Sequence, residues 1–223
     1  AYYEPGTDRF VKVIPDQPNI LFKYIYDMKV DVDGDILVNI SNGICIITLQ
    51  YDGAGRISGL DFNSVRIDRL VSSSNTDITY IDTDSQARIW FGTINDGLFC
   101  YKKRTGEIVQ YSFDACNPNS INSNRIYSIH VDYNGYVWVG TDMGLNRLDP
   151  ATGRFTRFTE DPDLSKSIRT VTSDRKGRIW ICLLDKIVMY DYEYNRKILC
   201  DVRQDFSCNE LEYNSVYNID EFI

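Results

Sequence analysis

The chain has 223 residues, 43% of them hydrophobic and 13% aromatic, enough to bury a substantial core in one or two domains. Its 24 basic and 32 acidic side chains give a net charge of -8, which disfavours nucleic acid or an anionic membrane surface as partner, because both reward a basic face. No apolar run approaches the roughly 18 residues of a membrane helix, and the opening Ala1-Tyr2-Tyr3 has neither a signal-peptide pattern nor an initiator Met, as expected of a processed or excised piece.

Taken in order, Tyr2 to Val13 reads as the closing hairpin of a unit whose earlier strands precede it. From Ile25 onward a pattern repeats. Two apolar positions three apart are followed by an Asp, a Gly, an apolar run and a second Gly. In the first copy these are Ile25, Met28, Asp31, Gly34, Ile36-Leu37-Val38 and Gly43. In the second they are Ile78, Ile81, Asp84, Ala87, Ile89-Trp90-Phe91-Gly92-Thr93 and Gly97. The third has Ile126, Ile129, Asp132, Gly135, Val137-Trp138-Val139-Gly140-Thr141 and Gly144. The fourth has Ile168, Val171, Asp174, Gly177, Ile179-Trp180-Ile181-Cys182 and Lys186. Glu210 to Val216 repeats the lead-in Ser120 to Ile126. The anchors Leu37, Trp90, Trp138 and Trp180 recur at spacings of 53, 48 and 42 residues, a period that signals blades or solenoid units.

Each mark has a physical role. Asp132 to Gly135 is a tight turn whose Gly accepts positive φ. Tyr136 to Thr141 is apolar on both faces, as a strand packed on both sides should be. Asp142-Met143-Gly144 turns the chain back into Leu145 to Leu148. Asp149 to Gly153 is a hairpin ending in a left-handed residue, matched by Asp8, Gly55, Gly106 and Asn195. Arg154 to Phe158 is the more polar outermost strand. The Ile126/Ile129 spacing admits one helical turn, but the β-branched content favours a strand with a local irregularity. Four antiparallel strands per unit describe an all-β fold, a β-propeller. The expected organisation is 1–14 as the end of a preceding blade, four full blades at 20–66, 75–115, 120–160 and 164–204, and 210–223 as the start of the next. A closed ring of roughly seven blades needs about 320 residues, so a fragment of a larger propeller is expected. Open blade faces also make a homodimer an expectation.

The six cysteines form no Cys-x-x-Cys pair, which argues against a zinc site. Cys45, Cys100 and Cys182 lie in apolar runs and read as small hydrophobes. Cys200 and Cys208 flank a polar loop and could pair in an oxidising compartment, although free thiols are the favoured reading.

The third copy, from Asn124-Arg-Ile126 through Val-Trp-Val-Gly-Thr141 and Leu148-Asp149-Pro-Ala-Thr-Gly153 to Phe155 and Phe158, resembles the two-component regulator propeller repeat. The other copies match with substitutions: Ala87 for the first Gly, Cys182-Leu183 for Gly-Thr, and Leu37 for the tryptophan. The resemblance implies the periplasmic sensor region of hybrid histidine kinases of glycan-utilising bacteria, with membrane attachment and kinase in other parts of the parent chain. Breakdown products of polysaccharides are the inputs it implies. No cofactor or metal is expected.

In a propeller, the loops from second to third strand and the links from one blade to the next gather at one face, where ligands bind. Candidate residues there are Asn42, Asn95, Asp96, Arg125, Tyr127, Asp142, Met143, Arg169 and Asp185, whose amides, carboxylates, guanidinium groups and aromatic ring suit sugar hydroxyls and faces. Simple turn formation competes as an explanation for each. Trp90, Trp138 and Trp180 share one slot and read as packing between blades. Asp31, Asp84, Asp132 and Asp174 read as structural, on the opposite face. His130, the sole histidine, lacks an adjacent nucleophile motif, and Lys102-Lys103-Arg104 reads as a solvated hairpin tip. The expected function is an extracytoplasmic, non-enzymatic sensing segment for an oligosaccharide or other small ligand. A dimerising protein-interaction scaffold is the alternative, and a propeller glycosidase or lyase the third reading.

Overall fold

Short β-branched and aromatic runs between turn residues favour strands, and the computed structural model has eighteen strands among the residues it describes. It describes residues 2–4, 9–11, 25, 27–40, 43–67, 70–71 and 77–201. Strands β1 (Tyr2–Glu4) and β2 (Arg9–Val11) form an antiparallel hairpin in which Tyr3 faces Phe10 across the ladder. Leu148 pairs with Phe155 in the corresponding ladder of the third unit.

Four antiparallel meanders of four strands follow. The first is β3 (Met28–Val30), β4 (Ile36–Ile40), β5 (Gly43–Tyr51) and β6 (Ile57–Arg66). The second is β7 (Ile78–Thr83), β8 (Arg88–Thr93), β9 (Leu98–Lys102) and β10 (Glu107–Tyr111). The third is β11 (Ile126–Val131), β12 (Val137–Thr141), β13 (Gly144–Asp149) and β14 (Arg154–Arg157). The fourth is β15 (Thr170–Ser173), β16 (Ile179–Cys182), β17 (Lys186–Asp191) and β18 (Arg196–Asp201). Among the described residues there is no helix. These sheets are the blades of a β-propeller.

The core lies between blades. Leu37 packs with Ile78, Ile81 and Phe91 of the second blade. Trp90 packs with Ile126, Ile129 and Val137 of the third, and Trp138 with Ile168, Val171 and Ile179 of the fourth. Trp90 and Trp138 are fully buried, as a slot repeated for packing requires. Trp180, on the blade with no described successor, is half-buried.

The Gly-Thr step also serves blade contact. A Cβ on Gly140 would come within 2.7 Å of the Ile168 side chain, and one on Gly92 within 2.4 Å of Ile126, so the next blade can approach only where no side chain intervenes. In the first blade Asn39 fills that slot and turns the contact into a hydrogen bond, its Nδ2 donating to the Ile78 carbonyl at 3.0 Å. The threonine hydroxyl orders the following loop. Thr93 Oγ1 donates to the Gly97 carbonyl and accepts from Asp96 N, and Thr141 does the same with Gly144 and Met143.

The innermost strands carry the expected irregularity. Register shifts between Ile78 and Tyr80 in β7, and between Ile126 and Ser128 in β11. The extra residues are Thr79 and Tyr127, and a bulge of this kind redirects its side chain.

Candidate functional site

Two ends of the blades are chemically distinct. At one end the turns between the first and second strands of each blade are built around one aspartate. Asp132 Oδ1 accepts from the amides of Asn134 and Tyr136 at 3.0 Å, and its Oδ2 accepts Trp138 Nε1 at 2.8 Å. Asp84 repeats this with Trp90 and adds Arg88 Nε, and Asp174 repeats it with Trp180 and Arg178 Nε. Burial pushes the Asp174 carboxyl up, but the bonds from Arg178 and Trp180 win and hold it below the ordinary range. These aspartates are structural, as their repetition implied.

The first blade has Leu37 in place of the tryptophan, and the structure supplies a different donor. Lys103 reaches back from the β9–β10 hairpin of the second blade and donates to Asp31, Asp33 and Asp35 at 2.7, 2.8 and 2.6 Å. This corrects the reading of Lys102-Lys103-Arg104 as a solvated tip: Lys103 is a clamp between blades. Burial lowers its pKa, but three carboxylates outweigh that and raise it well above the usual lysine range. The same hairpin position in the fourth blade is Tyr192, whose hydroxyl accepts from Asn134 Nδ2 of the third.

The opposite end gathers the loops between second and third strands with the links between blades. Gly97 N donates to the Asn124 carbonyl, Leu145 N to that of Leu164, and Ile168 N to that of Thr141. The last contact joins the β12–β13 loop of the third blade to the link that enters the fourth. Arg169 occupies the slot of the bulge residues Thr79 and Tyr127, and its guanidinium lies 5.7 Å from the centroid of the Tyr127 ring. Asp142 Oδ1 is buried with no hydrogen-bond partner. Met143 is exposed, and its carbonyl is held by Asn122 Nδ2. The structure thus sets Tyr127 against Arg169 at the seam of the third and fourth blades, with Asp142 and Met143 on the β12–β13 loop that borders it.

The other candidates are placed differently. Asn95 and Arg125 are exposed at the seam of the second and third blades, Asp185 is half-buried on the β16–β17 loop, and Asn42 lies outside the described residues. Asp96 is buried; its amide donates to Thr93 Oγ1 within the loop and its carbonyl accepts from Gln110 Nε2 of β10. The hairpin expectation at Asp8 and the lead-in Glu210 to Val216 also lie outside the described residues. Burial pushes the thiols of Cys45, Cys100 and Cys182 up to about 11, 12 and 12, in keeping with small hydrophobes. Cys200 is a free thiol, and Cys208 is outside the described residues.

A second polar line runs along the innermost strands. Asp27 accepts from Ile81 N at 3.0 Å, and Asp82 from Val131 N at 2.8 Å, each bond joining one blade to the next. The third link is His130 Nε2 to Ser173 Oγ at 2.7 Å, with His130 Nδ1 3.6 Å from Asp82. Burial holds the imidazole below its usual pKa; Asp82 and Asp132 pull it up, and Lys29 adds to the lowering. Sequence reading found no nucleophile near His130, because Ser173 is 43 residues away along the chain.

The fold is that of a propeller, and residues 120–143 match the family of the two-component regulator propeller. That stretch holds the lead-in and the first two strands of the third blade. Over 100 residues the chain is 31% identical to histidine kinase P4 of Formosa agariphila, an alignment covering 43% of this chain and 7% of that protein. Among solved structures it is similar to the catalytically inactive H270A virginiamycin B lyase from Staphylococcus aureus, with TM-score 0.62, 15% identity and coverage of 83% of this chain and 57% of the other. It is also similar to the extracellular domain of a putative hybrid two component system of B. thetaiotaomicron, with TM-score 0.53, 16% identity and coverage of 88% and 36%. The chain spans less than two thirds of each of these proteins, and likenesses at such identities concern the fold.

Proposed function

We propose that the chain is the ligand-sensing propeller segment of an extracytoplasmic two-component receptor, and that it binds a glycan breakdown product without turning it over. The observation that carries this reading is the seam of the third and fourth blades, where the Arg169 guanidinium lies over the Tyr127 ring and the bordering β12–β13 loop holds Asp142 Oδ1 without a hydrogen-bond partner. A carboxylate oxygen with no partner is an acceptor for a sugar hydroxyl, a guanidinium donates in a fixed plane, and an aromatic face can cover a sugar ring. The regulator repeat at residues 120–143 and the histidine kinase relative support the receptor context. Ligand held across a seam would favour one arrangement of neighbouring blades or domains over another, which is the differential binding a signal needs.

A thermal-shift screen against plant and host oligosaccharides tests the reading. A specific binder raises stability by about 2.7 kcal/mol at a hundredfold excess over Kd. A selective shift that disappears in Asp142→Ala supports the seam. No shift with any sugar would favour the scaffold reading, to which the exposed Ile25, Met28 and Val30 of the first blade lend an apolar surface.

A further inference from the structure

The array Ser173–His130–Asp82 has no part in the sugar-binding seam, and it has the arrangement of a base-activated nucleophile. Three innermost strands of successive blades deliver one side chain each: Asp82 from β7, His130 from β11 and Ser173 from β15. His130 Nε2 lies 2.7 Å from Ser173 Oγ, within reach for proton abstraction. On the other side of the ring, Asp82 sits 3.6 Å from Nδ1 and favours the tautomer that carries its proton there, leaving Nε2 as the acceptor. Asp82 is itself fixed by Val131 N at 2.8 Å and Thr83 N at 3.0 Å. Side chains of His130 and Asp82 keep 15% and 13% exposure, so the array is sheltered without being sealed.

The backbone supplies a further element. In an antiparallel ladder amide directions alternate. Asp174 N donates to the Arg178 carbonyl on the β16 side, so the Ser173 N–H points to the opposite, inner edge of β15. The same position in β11 is Val131, whose N–H points across that edge to Asp82. Ser173 therefore directs its own amide N–H to the inner edge while its hydroxyl meets His130 Nε2, the amide being a donor for an oxyanion formed at that hydroxyl.

We propose that Ser173 is an acyl-accepting nucleophile, with His130 as its base and Asp82 as the positioning residue, acting on small carboxylic esters that reach the inner edge of the blades. Ser173 Oγ attacks the ester carbonyl carbon as His130 Nε2 takes the hydroxyl proton. Collapse of the tetrahedral species expels the alcohol, which receives that proton, and leaves acyl-Ser173. Water, deprotonated by His130, releases the carboxylic acid and restores the serine. This activity goes beyond the receptor reading and does not depend on it.

The test is incubation of the chain with a fluorophosphonate probe and with p-nitrophenyl acetate, followed by intact mass and peptide mapping. The expected result is a single adduct on the Ser173 peptide and an initial burst of nitrophenol. Ser173→Ala should abolish both, and His130→Gln should slow labelling roughly a hundredfold or more. Asp82→Asn should slow labelling and change its pH profile while the site of labelling stays the same. Mapping of the unaltered chain locates the adduct even where a variant fails to fold. No adduct, or an adduct elsewhere that survives in Ser173→Ala, overturns the proposal and leaves the array as a tie between blades.

Discussion

Asp132 Oδ2 accepts the indole N–H of Trp138 at 2.8 Å while Oδ1 of the same carboxylate caps two turn amides. One side chain thus closes the turn and satisfies the only polar atom of a fully buried tryptophan that the next blade packs against. Asp132→Ala leaves three donors unpaired, one of them deeply buried, and should cost about 2–4 kcal/mol in urea unfolding. The half-buried hairpin residue Asp52 caps Ala54 and Arg56 in the same way but serves no indole, so Asp52→Ala should move the midpoint much less. Equal losses at both sites would show that the turn, not the tryptophan, carries the effect.

Lys103 should behave unlike its neighbour Lys102. The Asp31 side chain that Lys103 contacts has 0% exposure, so Lys103→Met strands a buried carboxylate and should cost about 3–5 kcal/mol. Lys102 pairs with Glu107 at the surface, both side chains 40% exposed or more, and Lys102→Met should cost at most about 1 kcal/mol. Adding Asp31→Asn to Lys103→Met should recover part of the loss, which a double-mutant cycle measures. Because the folded pKa of Lys103 is raised, its contribution is complete below about pH 10.4 and is lost only as pH rises through the folded value.

His130 gives the molecule a pH dependence of the opposite sense. Its folded pKa is depressed by burial, so the unfolded chain takes the proton first as pH falls. Stability should therefore decline as pH drops through about 6.5, by at most about 1.4 kcal/mol per unit. Asp161, Asp163 and Asp174 have lowered pKa values through their Lys and Arg partners, despite the upward push of burial. Their contribution is lost only further down, below about pH 3.9. Asp27 is raised, chiefly by burial, and its protonation relieves a cost. Unfolding followed between pH 5 and 7 should show a slope that His130→Gln removes, since the chain has no other histidine. A slope unchanged in that variant would contradict the burial argument.

Two backbone positions should respond in opposite directions. Ala87 has φ 58° at the slot held by glycine in the other three blades, and Ala87→Gly should gain up to about 1 kcal/mol by relieving that strain. Gly97 has φ +84°, and a Cβ there would come within 2.3 Å of the Tyr111 carbonyl oxygen. Gly97→Ala should lower the thermal midpoint by more than Ala87→Gly raises it, because backbone must move as well.

The repeat made strands, turns and buried anchors readable, since each copy confirms the slots of the others. Tyr127 and Arg169 could be singled out because the repeat locates the links from one blade to the next, where they lie. What stayed hidden were bonds between blades. Lys103 meets Asp31 across 72 residues, and His130 meets Ser173 across 43. Both pairs fall in slots where the copies differ, so comparison of copies gives no cue. Asp96 is a carboxylate in a loop, which attracts a ligand reading, while its backbone amide and carbonyl are engaged by Thr93 and Gln110.

Amide shift mapping by NMR, with the sugar that gives the largest thermal shift, tests the central claim most directly. The account predicts perturbations concentrated at Tyr127, Asp142, Met143 and Arg169 and absent from the Asp132 to Gly135 turn at the far end of the blade. Perturbations centred on that turn, or spread evenly over both ends, would contradict it.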